Sequence, residues 1–377
     1  MFVRKVLAAL LIFSILFFVN LQAQAAVVDY DLTIAQEEVS IQGKTTLGMT
    51  INGQIPGPTL RFTEGDLGII RVHNTMDVST SIHWHGILVP PDMDGVPFIT
   101  QAPIEPESTF TYKIPIRQTG TYWYHSHSGL QEQSGLYGSI VISATEKHIY
   151  ADKDYVVLLS DWTTDKPHTV LRSLKRGSEW YALQKGSAQS VFGAVKAKRL
   201  GNYFLRELQR MPPMDIADVA YDYFLANGKP EIRLPAEPGE TIRLRIIDGS
   251  ATTYFHLEFA GGPMTIISSD GLDVEPFKRQ RFLISVAETY DVLITVPASG
   301  AHELRATAHD GSGYASVWLG SGKQHSAPAI PKPNLYDSMH RVGLRSLFSL
   351  TPAGIMGMPD AMVEKGVFDQ PGMMHMH

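Results

Sequence analysis

The 377-residue chain contains no cysteine, which excludes disulfide bonds and any metal site that needs a thiolate ligand. Its formal net charge is −6, and it has no cluster of basic residues of the kind that binds nucleic acid. The apolar run Val6–Val19 is shorter than the roughly 20 residues that a membrane-spanning helix needs. The hydrophobic content of 44% is enough for a large buried core. These features favour a globular protein that binds no nucleic acid and does not span a membrane.

Residues 1–25 have the pattern of a secretory signal peptide. Arg4 and Lys5 form a basic start, the apolar run Val6–Val19 follows, and Ala23–Ala25 supplies small residues for cleavage. The chain has no Arg-Arg pair, so the pattern favours the Sec route over twin-arginine export. We therefore expect any metal to be loaded outside the cytoplasm, and no membrane span to remain once the signal is removed.

After the signal, short runs of alternating apolar residues recur, separated by turn residues such as Asn52-Gly53. The 23 prolines and 32 glycines are spread along the chain, as is typical of many short strands. The second half repeats the first, with Asn227-Gly228 in the place of Asn52-Gly53. We predict an all-β fold of two tandem β-sandwich domains, residues 26–147 and 148–325, since a charged break at 146–154 separates them.

Two segments differ in composition from these strands. Residues 170–212 are rich in Leu, Lys, Arg, Ala and Gln, which predicts a short helical insertion at the front of the second sandwich. Residues 326–377 form a tail rich in Pro and Met that we expect to be disordered. The end of this tail combines histidine with methionine, at Met356, Met358, Met362, Met373, Met374, His375, Met376 and His377.

Two His-x-His pairs, His83 with His85 and His125 with His127, are the most informative feature of the sequence. Both lie in segments that read as β-strands, and residues two apart on a strand share one face. Two such pairs brought together would place four imidazoles around one small volume. Neutral imidazole binds copper, zinc, iron and nickel. The pairs therefore predict a transition-metal site with these four histidines as ligands.

A single His-x-His pair is weak evidence, because strand histidines also serve as exposed or hydrogen-bonded residues. The aromatic residues between and beside the pairs would shield and orient the imidazoles, although we assign Trp84, Trp123 and Tyr124 to core packing. The second half offers no matching site. Aligning the repeats places Leu257 and Phe259 opposite the first pair, and Arg305 and Thr307 opposite the second. Only the first sandwich is therefore predicted to carry the site.

The chain resembles the multicopper oxidases, and most closely the bacterial copper-resistance oxidases of the CopA type. The resemblance covers nearly everything from Ile51 to Pro297. The matching stretches are Ser81–Gly86, Met93–Pro97, Gly120–Gly135, Asp215–Val219 and Ala287–Val292.

That family has three cupredoxin (plastocyanin-like) domains and oxidises its substrates one electron at a time at a type 1, or blue, copper. Electrons then pass to a three-copper cluster that reduces dioxygen to water. The resemblance implies that His83 binds the type 2 copper and that His85, His125 and His127 bind the paired type 3 coppers. Asp94 matches a carboxylate that helps deliver protons to this cluster, although Asp-Gly is also a common turn.

The chain departs from the family in one respect. The other four histidine ligands and the blue-copper cysteine lie, in that family, in His-Pro-x-His-Leu-His and His-Cys-His motifs of the third domain. Neither motif occurs in these 377 residues, so a type 1 site is absent from them. The chain would then be a truncated oxidase, or one completed by a separately encoded third cupredoxin domain.

Three hypotheses remain open. The first is that the chain is the periplasmic, copper-binding portion of a CopA-type oxidase for copper resistance, with half of the trinuclear ligand set. The second is a periplasmic copper-binding or sequestration protein without enzymatic activity, in which the Met-rich tail binds Cu(I). The third is a structural or partner-binding pair of sandwiches whose histidines bind no metal.

Overall fold

A computed structural model describes residues 26–146, 149–208, 213 and 215–337. The predicted signal peptide and the Met-rich end of the predicted tail, from residue 338 onward, lie outside these residues. The predicted boundary between residues 147 and 148 also falls on two residues outside them. In the described part of the chain, no helix is long and apolar enough to cross a membrane.

The first β-sandwich consists of two four-stranded sheets, with the strand orders β2-β1-β4-β6 and β3-β8-β7-β5. A short 3-10 helix, Pro91–Met93, lies between β5 and β6. The strands are β1 (Val27–Ile41), β2 (Lys44–Ile51), β3 (Gly57–Thr63), β4 (Leu67–Asn74), β5 (His83–His85), β6 (Ser108–Pro115), β7 (Gly120–His125) and β8 (Tyr137–Ser143).

The core of the first sandwich decides which way the predicted ligands point. Trp84 of β5 and Tyr124 of β7 are fully buried and belong to this core, together with residues of β1, β4 and β8. Because successive side chains of a strand point to opposite faces, His83, His85 and His125 lie on the other, outer face of their sheet.

The second sandwich repeats this topology. Its sheets have the orders β10-β9-β12-β17-β14-β15 and β11-β19-β18-β13-β16, with β20 paired to β18. β13 and β18 thus occupy the places that β5 and β7 have in the first sandwich. The strands are β9 (Lys153–Trp162), β10 (Tyr223–Ala226), β11 (Glu231–Leu234), β12 (Thr241–Asp248), β13 (Phe255–Phe259), β14 (Met264–Ser269), β15 (Leu272–Arg279), β16 (Arg281–Ile284), β17 (Thr289–Thr295), β18 (Gly300–Ala308), β19 (Tyr314–Ser321) and β20 (Gln324–His325).

The two sandwiches contact each other through the outer face of β7. Trp123 packs with Tyr137, Leu158 and Ile247, the last two from the second sandwich. Beside this apolar contact, the Thr121 hydroxyl donates to the buried Asp291 carboxylate at 2.7 Å. The strand that carries His125 is therefore held against the second sandwich along its length.

The predicted helical insertion is confirmed by four helices between β9 and β10: α1 (Pro167–Arg176), α2 (Trp180–Lys185), α3 (Val191–Lys196) and α4 (Leu200–Leu208). Helix α1 begins with proline and ends at Gly177, which has a left-handed backbone. Helix α3 is capped by Ser190, whose hydroxyl accepts from the Gly193 amide at 3.1 Å.

Helices α3 and α4 belong to a separate compact unit with residues 334–337. Within that unit, the Ser190 amide donates to the Tyr336 hydroxyl at 2.9 Å, and the Asn202 side chain donates to the Tyr336 carbonyl at 3.1 Å. This unit contains none of the predicted ligands.

Candidate metal centre

β5 and β7 are neighbouring antiparallel strands, and their register brings the two His-x-His pairs together. His83 lies opposite His125, and His85 lies opposite Trp123. His127 follows β7 by two residues. The ring of His83 is 5.7, 5.5 and 5.3 Å from those of His85, His125 and His127, centroid to centroid. The structure thus collects all four predicted ligands on one outer face.

Three of the four imidazoles approach closely enough to share one ion. One ring nitrogen from each of His83, His85 and His125 lies within 4.8 Å of the others. His85 Nδ1 and His125 Nε2 lie 3.4 Å apart and form a hydrogen bond. His125 is buried, His83 and His85 are partly buried, and His127 is exposed.

Hydrogen bonds orient two of these rings. His83 Nδ1 donates to the Asp94 carbonyl at 2.7 Å, and His125 Nδ1 donates to the Ser126 carbonyl at 3.1 Å. The Glu132 carboxylate lies 2.9 Å from the same nitrogen of His125. Because these oxygens only accept hydrogen bonds, each Nδ1 carries a proton, which leaves Nε2 as the nitrogen available to a metal. This arrangement, in which a second group orients a ligand imidazole, is typical of metal sites.

Asp94 contacts His83 mainly through its backbone. Its carboxylate oxygen lies 3.4 Å from His83 Nδ1, whereas its carbonyl forms the hydrogen bond. The next residue, Gly95, has a φ of +83°, and a Cβ there would lie 1.8 Å from the Ile82 carbonyl oxygen. Glycine is therefore required for this turn to pack against β5. Because of that packing, the Asp94 carboxylate lies beside the histidines.

Burial favours the neutral form of two of the imidazoles. Burial lowers the pKa of His83. Burial, and after it the charge of His125, lowers the pKa of His85 to about 4. Both rings are then uncharged at neutral pH and compete little with protons for a metal.

Trp123 forms one wall of the site and is also buried in a hydrophobic cluster between the sandwiches, in agreement with the core role predicted for it. Its indole stacks on His125, with centroids 4.2 Å apart and planes 19° apart, and on His85 at 5.1 Å and 30°. The prediction of core packing for Trp84 and Tyr124 agrees with their burial in the first sandwich. Trp123 has the opposite orientation because it alternates with Tyr124 along β7.

A polar turn after β7 holds His127. The Ser81 hydroxyl accepts from the His127 amide at 3.2 Å. The Gln131 side-chain oxygen accepts from Thr80 at 2.6 Å and from Ser126 at 2.8 Å, and Gln131 is buried. Sequence reasoning did not identify Gln131 or Glu132, since nothing in their spacing shows that the turn folds back onto the histidines. Two polar residues in a buried turn are the only signal that could have pointed to them.

The equivalent outer face of the second sandwich has different side chains from those of the first. The sequence alignment of the two repeats was wrong by one position on β13. Leu257 and Phe259, which it placed opposite the histidines, belong to the core. The outer face instead presents His256 and Glu258, and His256 pairs with Thr307 across the ladder. In the described part of the chain, the group formed by His83, His85 and His125 is the only cluster of three or more possible ligands.

The donor set fits a transition metal that accepts nitrogen ligands. All four donors are imidazoles, two of them with the free nitrogen set by a hydrogen bond, and imidazole suits copper, zinc, iron and nickel. No thiolate is available in the 377 residues, so they contain no blue-copper ligand set of two histidines and a cysteine.

Comparison with known proteins agrees with the family resemblance found in the sequence. Two family models described as multicopper oxidase match residues 33–147 and 153–320. The chain is 44% identical over 319 residues to copper resistance protein A of Escherichia coli, covering 81% of this chain and 53% of that protein. It is 41% identical over 332 residues to a copper resistance protein A homolog of Pseudomonas syringae pv. tomato, covering 85% of this chain and 56% of the relative.

Solved structures share the fold. Fet3p, a multicopper oxidase that functions in iron import, superposes with a TM-score of 0.62 at 23% identity, covering 84% of this chain and 56% of that one. A laccase from Botrytis aclada gives 0.61 at 27% identity, covering 87% and 58%. The chain spans about half the length of the curated relatives it matches. The family models and these identities together show that the chain belongs to the multicopper oxidase family and, within it, to the CopA type.

Proposed function

We propose that this chain provides half of the ligand set of a trinuclear copper centre in a CopA-type multicopper oxidase that serves copper resistance. The observation that supports the proposal most strongly is the register of β5 and β7, which places four imidazoles on one outer face. Copper is the metal that the family implies. Once bound, it would supply one-electron chemistry for the reduction of dioxygen.

The residues would divide as the family resemblance implies. His83 would bind the type 2 copper through Nε2, because its Nδ1 donates to the Asp94 carbonyl. His85, His125 and His127 would bind the two type 3 coppers. The short distance between His85 Nδ1 and His125 Nε2 supports the assignment of these two nitrogens to the same copper ion.

Asp94 would hold and deliver a proton. Its carboxylate lies beside His83 and is about one-third exposed, so it can exchange protons with solvent while staying next to the site. A carboxylate that contacts solvent and lies beside a ligand of the proposed copper centre is suited to general acid catalysis. In this role the carbonyl of Asp94 orients His83, and its side chain carries the proton.

The other half of the centre would come from a third cupredoxin domain, encoded beyond His377 or separately. The segment between β5 and β6 of the first sandwich exposes three large apolar side chains: Leu88 at 68%, Phe98 at 87% and Ile99 at 83%. Exposed apolar residues of this size favour a covering protein surface. Such a domain would bring the missing histidines and the blue-copper cysteine to the same face.

We place this function in the periplasm. Two similar proteins are named copper resistance protein A, and the first 25 residues have the pattern of a secretory signal. Export before metal loading would let the protein acquire copper where external copper enters a Gram-negative cell.

The DNA beyond the codon for His377, read in all frames and into the next gene, gives the first test. We expect it to encode His-Pro-x-His-Leu-His and His-Cys-His motifs. Co-expression of that domain should then produce blue absorption and dioxygen consumption, which the 377-residue chain alone should lack. Intense blue colour from the chain by itself, or absence of both motifs from the genome, would contradict the proposal.

Copper binding without enzymatic activity is the second candidate function. It is favoured by the three ring nitrogens of His83, His85 and His125, which lie within 4.8 Å of one another without any further domain. Copper titration of the chain tests it, and an affinity no tighter than micromolar would rule it out. Substrates such as Cu(I) or phenol-like donors belong only to the completed oxidase.

A further inference from the structure

We propose that this chain binds its first copper ion with three imidazoles, those of His83, His85 and His125, and that Glu132 is the positioning residue for His125. His127 would take no part in binding that ion. The inference rests on the proposed function in that the histidine pairs bind copper. It differs from the division into type 2 and type 3 ligands, which assigns His83 to a separate ion.

The nitrogen positions support a single ion. Imidazole nitrogens bind such metals at about 2.0 Å, so two nitrogens on one ion lie roughly 3 to 4 Å apart. The 3.4 Å between His85 Nδ1 and His125 Nε2 already matches this spacing. One ring nitrogen of His83 lies within 4.8 Å of ligand nitrogens of both other residues, so His83 is the third donor nearest to this pair.

A carboxylate lies closer to His125 than to His83. Both Nδ1 atoms donate to a backbone carbonyl, that of Ser126 for His125 and that of Asp94 for His83. The Glu132 carboxylate lies 2.9 Å from His125 Nδ1, whereas the Asp94 carboxylate lies 3.4 Å from His83 Nδ1. The Glu132 carboxylate is about one-third exposed and lies on the turn that the buried Gln131 side chain holds in place. A carboxylate at this position fixes the ring orientation and makes the opposite nitrogen a stronger donor.

Trp123 restricts His125 from the other side. Its indole lies nearly parallel to the His125 ring, with the centroids 4.2 Å apart, and extends over His85. Because Trp123 packs against Leu158 and Ile247 of the second sandwich, it cannot easily move away. The two rings that already have the spacing of shared ligands are thus held before any metal binds.

His127 lacks this support. Its side chain is exposed, and within residues 26–146, 149–208 and 215–337 no hydrogen bond reaches its imidazole. Its ring lies 5.3 Å from His83 and 5.6 Å from His125, but its nitrogens fall outside the 4.8 Å group. Binding through His127 would therefore have to order a free side chain.

The test is a Cu(II) titration of the metal-stripped 377-residue chain against a competing chelator, with electron paramagnetic resonance at one equivalent. All proteins carry the background substitutions H375A and H377A, because the terminal imidazoles would otherwise compete. We expect three nitrogen ligands in the spectrum. Glu132→Gln should weaken the affinity about 10- to 100-fold, and His127→Ala should leave affinity and spectrum unchanged. His256→Ala, on the equivalent face of the second sandwich, is the matched control.

The outcomes separate this inference from the proposed function. Copper binding that weakens as much in His127→Ala as in His125→Ala would overturn the inference and leave the proposed function standing. Unchanged affinity in Glu132→Gln would remove the positioning role. Failure of every protein to bind copper would instead contradict the proposed function itself. Glu132→Asp, whose carboxylate is one methylene too short to reach Nδ1, should also weaken binding and covers the case in which the Gln variant unfolds.

Discussion

The two sandwiches use the same pair of strands for different purposes. In the first, the outer faces of β5 and β7 carry imidazoles that converge on one volume. In the second, the outer faces of β13 and β18 carry ion pairs, Glu258 with Arg281 and Glu303 with Arg305. The inner faces are alike, since both are filled by buried apolar and aromatic side chains.

The comparison shows which positions of this fold are free to acquire chemistry. A side chain on the inner face must fill the core, so its size and polarity are restricted. The outer face needs only a partner for its polar groups, and imidazole–metal and carboxylate–guanidinium contacts both satisfy that need. One topology can therefore hold a candidate metal site in one copy and a structural ion pair in the other.

The same contrast appears in a pair of arginines. Arg71 of β4 and Arg245 of β12 have equivalent ladder positions, and each binds an aspartate on the adjacent parallel strand, Asp29 or Asp154. Arg71 remains partly exposed, whereas Arg245 is buried between the sandwiches and also contacts Asp291. At the contact between the sandwiches, the arginine–aspartate pair is therefore buried and extended into a larger ion-pair network.

Replacing Arg245 should have the largest effect on stability. Arg245→Ala removes the hydrogen bonds of this guanidinium to Asp154, Thr121 and Asp291, and each hydrogen bond to a charged group contributes about 1.5 to 3 kcal/mol. Urea unfolding followed by circular dichroism measures the loss. Arg71→Ala is the matched control and should leave the midpoint nearly unchanged. Equal losses in the two variants would contradict the contrast drawn above.

Truncation of Trp123 should affect both stability and copper binding. Trp123→Ala removes the side chain that links the histidines to the second sandwich, and such core truncations cost about 3 to 5 kcal/mol. Trp123→Phe keeps an aromatic ring over His125 and should recover most of the copper affinity. The measurements are thermal unfolding of the metal-free protein and chelator competition. Copper affinity that is equal in the Ala and Phe variants would show that stacking does not orient His125.

Removing a ligand should affect copper binding and leave the fold intact. Changes to groups that only orient a ligand already cost 10- to 100-fold in affinity, so His83→Ala should lower it by at least about 100-fold, or about 2.8 kcal/mol. His256→Ala on the second sandwich should have no effect on copper. Chelator competition gives the affinity, and unfolding midpoints verify folding. A similar loss in both variants would mean that copper binds outside the histidine pairs.

The smallest effect concerns acid stability at the surface. The hydrogen bond from Arg71, followed by that from His73, lowers the pKa of Asp31 to about 2. Because the folded pKa lies below the ordinary aspartate value of 3.8, this contact stabilises the fold above pH 4 and loses that contribution as the pH falls towards 2. Arg71→Ala should bring the Asp31 titration back towards its ordinary range, as followed by carboxyl NMR. An unchanged titration would exclude Arg71 as the cause.

Several features could be predicted from the sequence because their causes are local. Asn52-Gly53 and Asn227-Gly228 were matched as repeated turns, and in both the asparagine has a positive φ and its side chain bonds the neighbouring strand. The helical insertion was predicted from composition, and its start was missed by three residues, since helix α1 starts at Pro167. The all-β class followed from alternation and turn residues, which depend only on neighbours along the chain.

The site was partly within reach of the same reasoning. Alternation along a strand is a local rule, so it correctly placed His83 with His85 on one face. The register between β5 and β7, which sets His83 opposite His125, is a contact between residues far apart in sequence. The same limitation explains the error on β13, where sequence alignment of the repeats could not show that Leu257 faces the core.

By itself, the sequence determined the imidazole character of the candidate site, the all-β class and the absence of any thiolate among these residues, because each depends on residue identity or on near neighbours. Only the tertiary structure decided that Trp123 faces the histidines, that the Glu132 carboxylate lies beside His125, and that three of the imidazoles come closer together than the fourth. The physical reason is that these contacts depend on how strands and turns distant in sequence pack together. Packing of that kind is set by the whole core and leaves no local pattern in the chain.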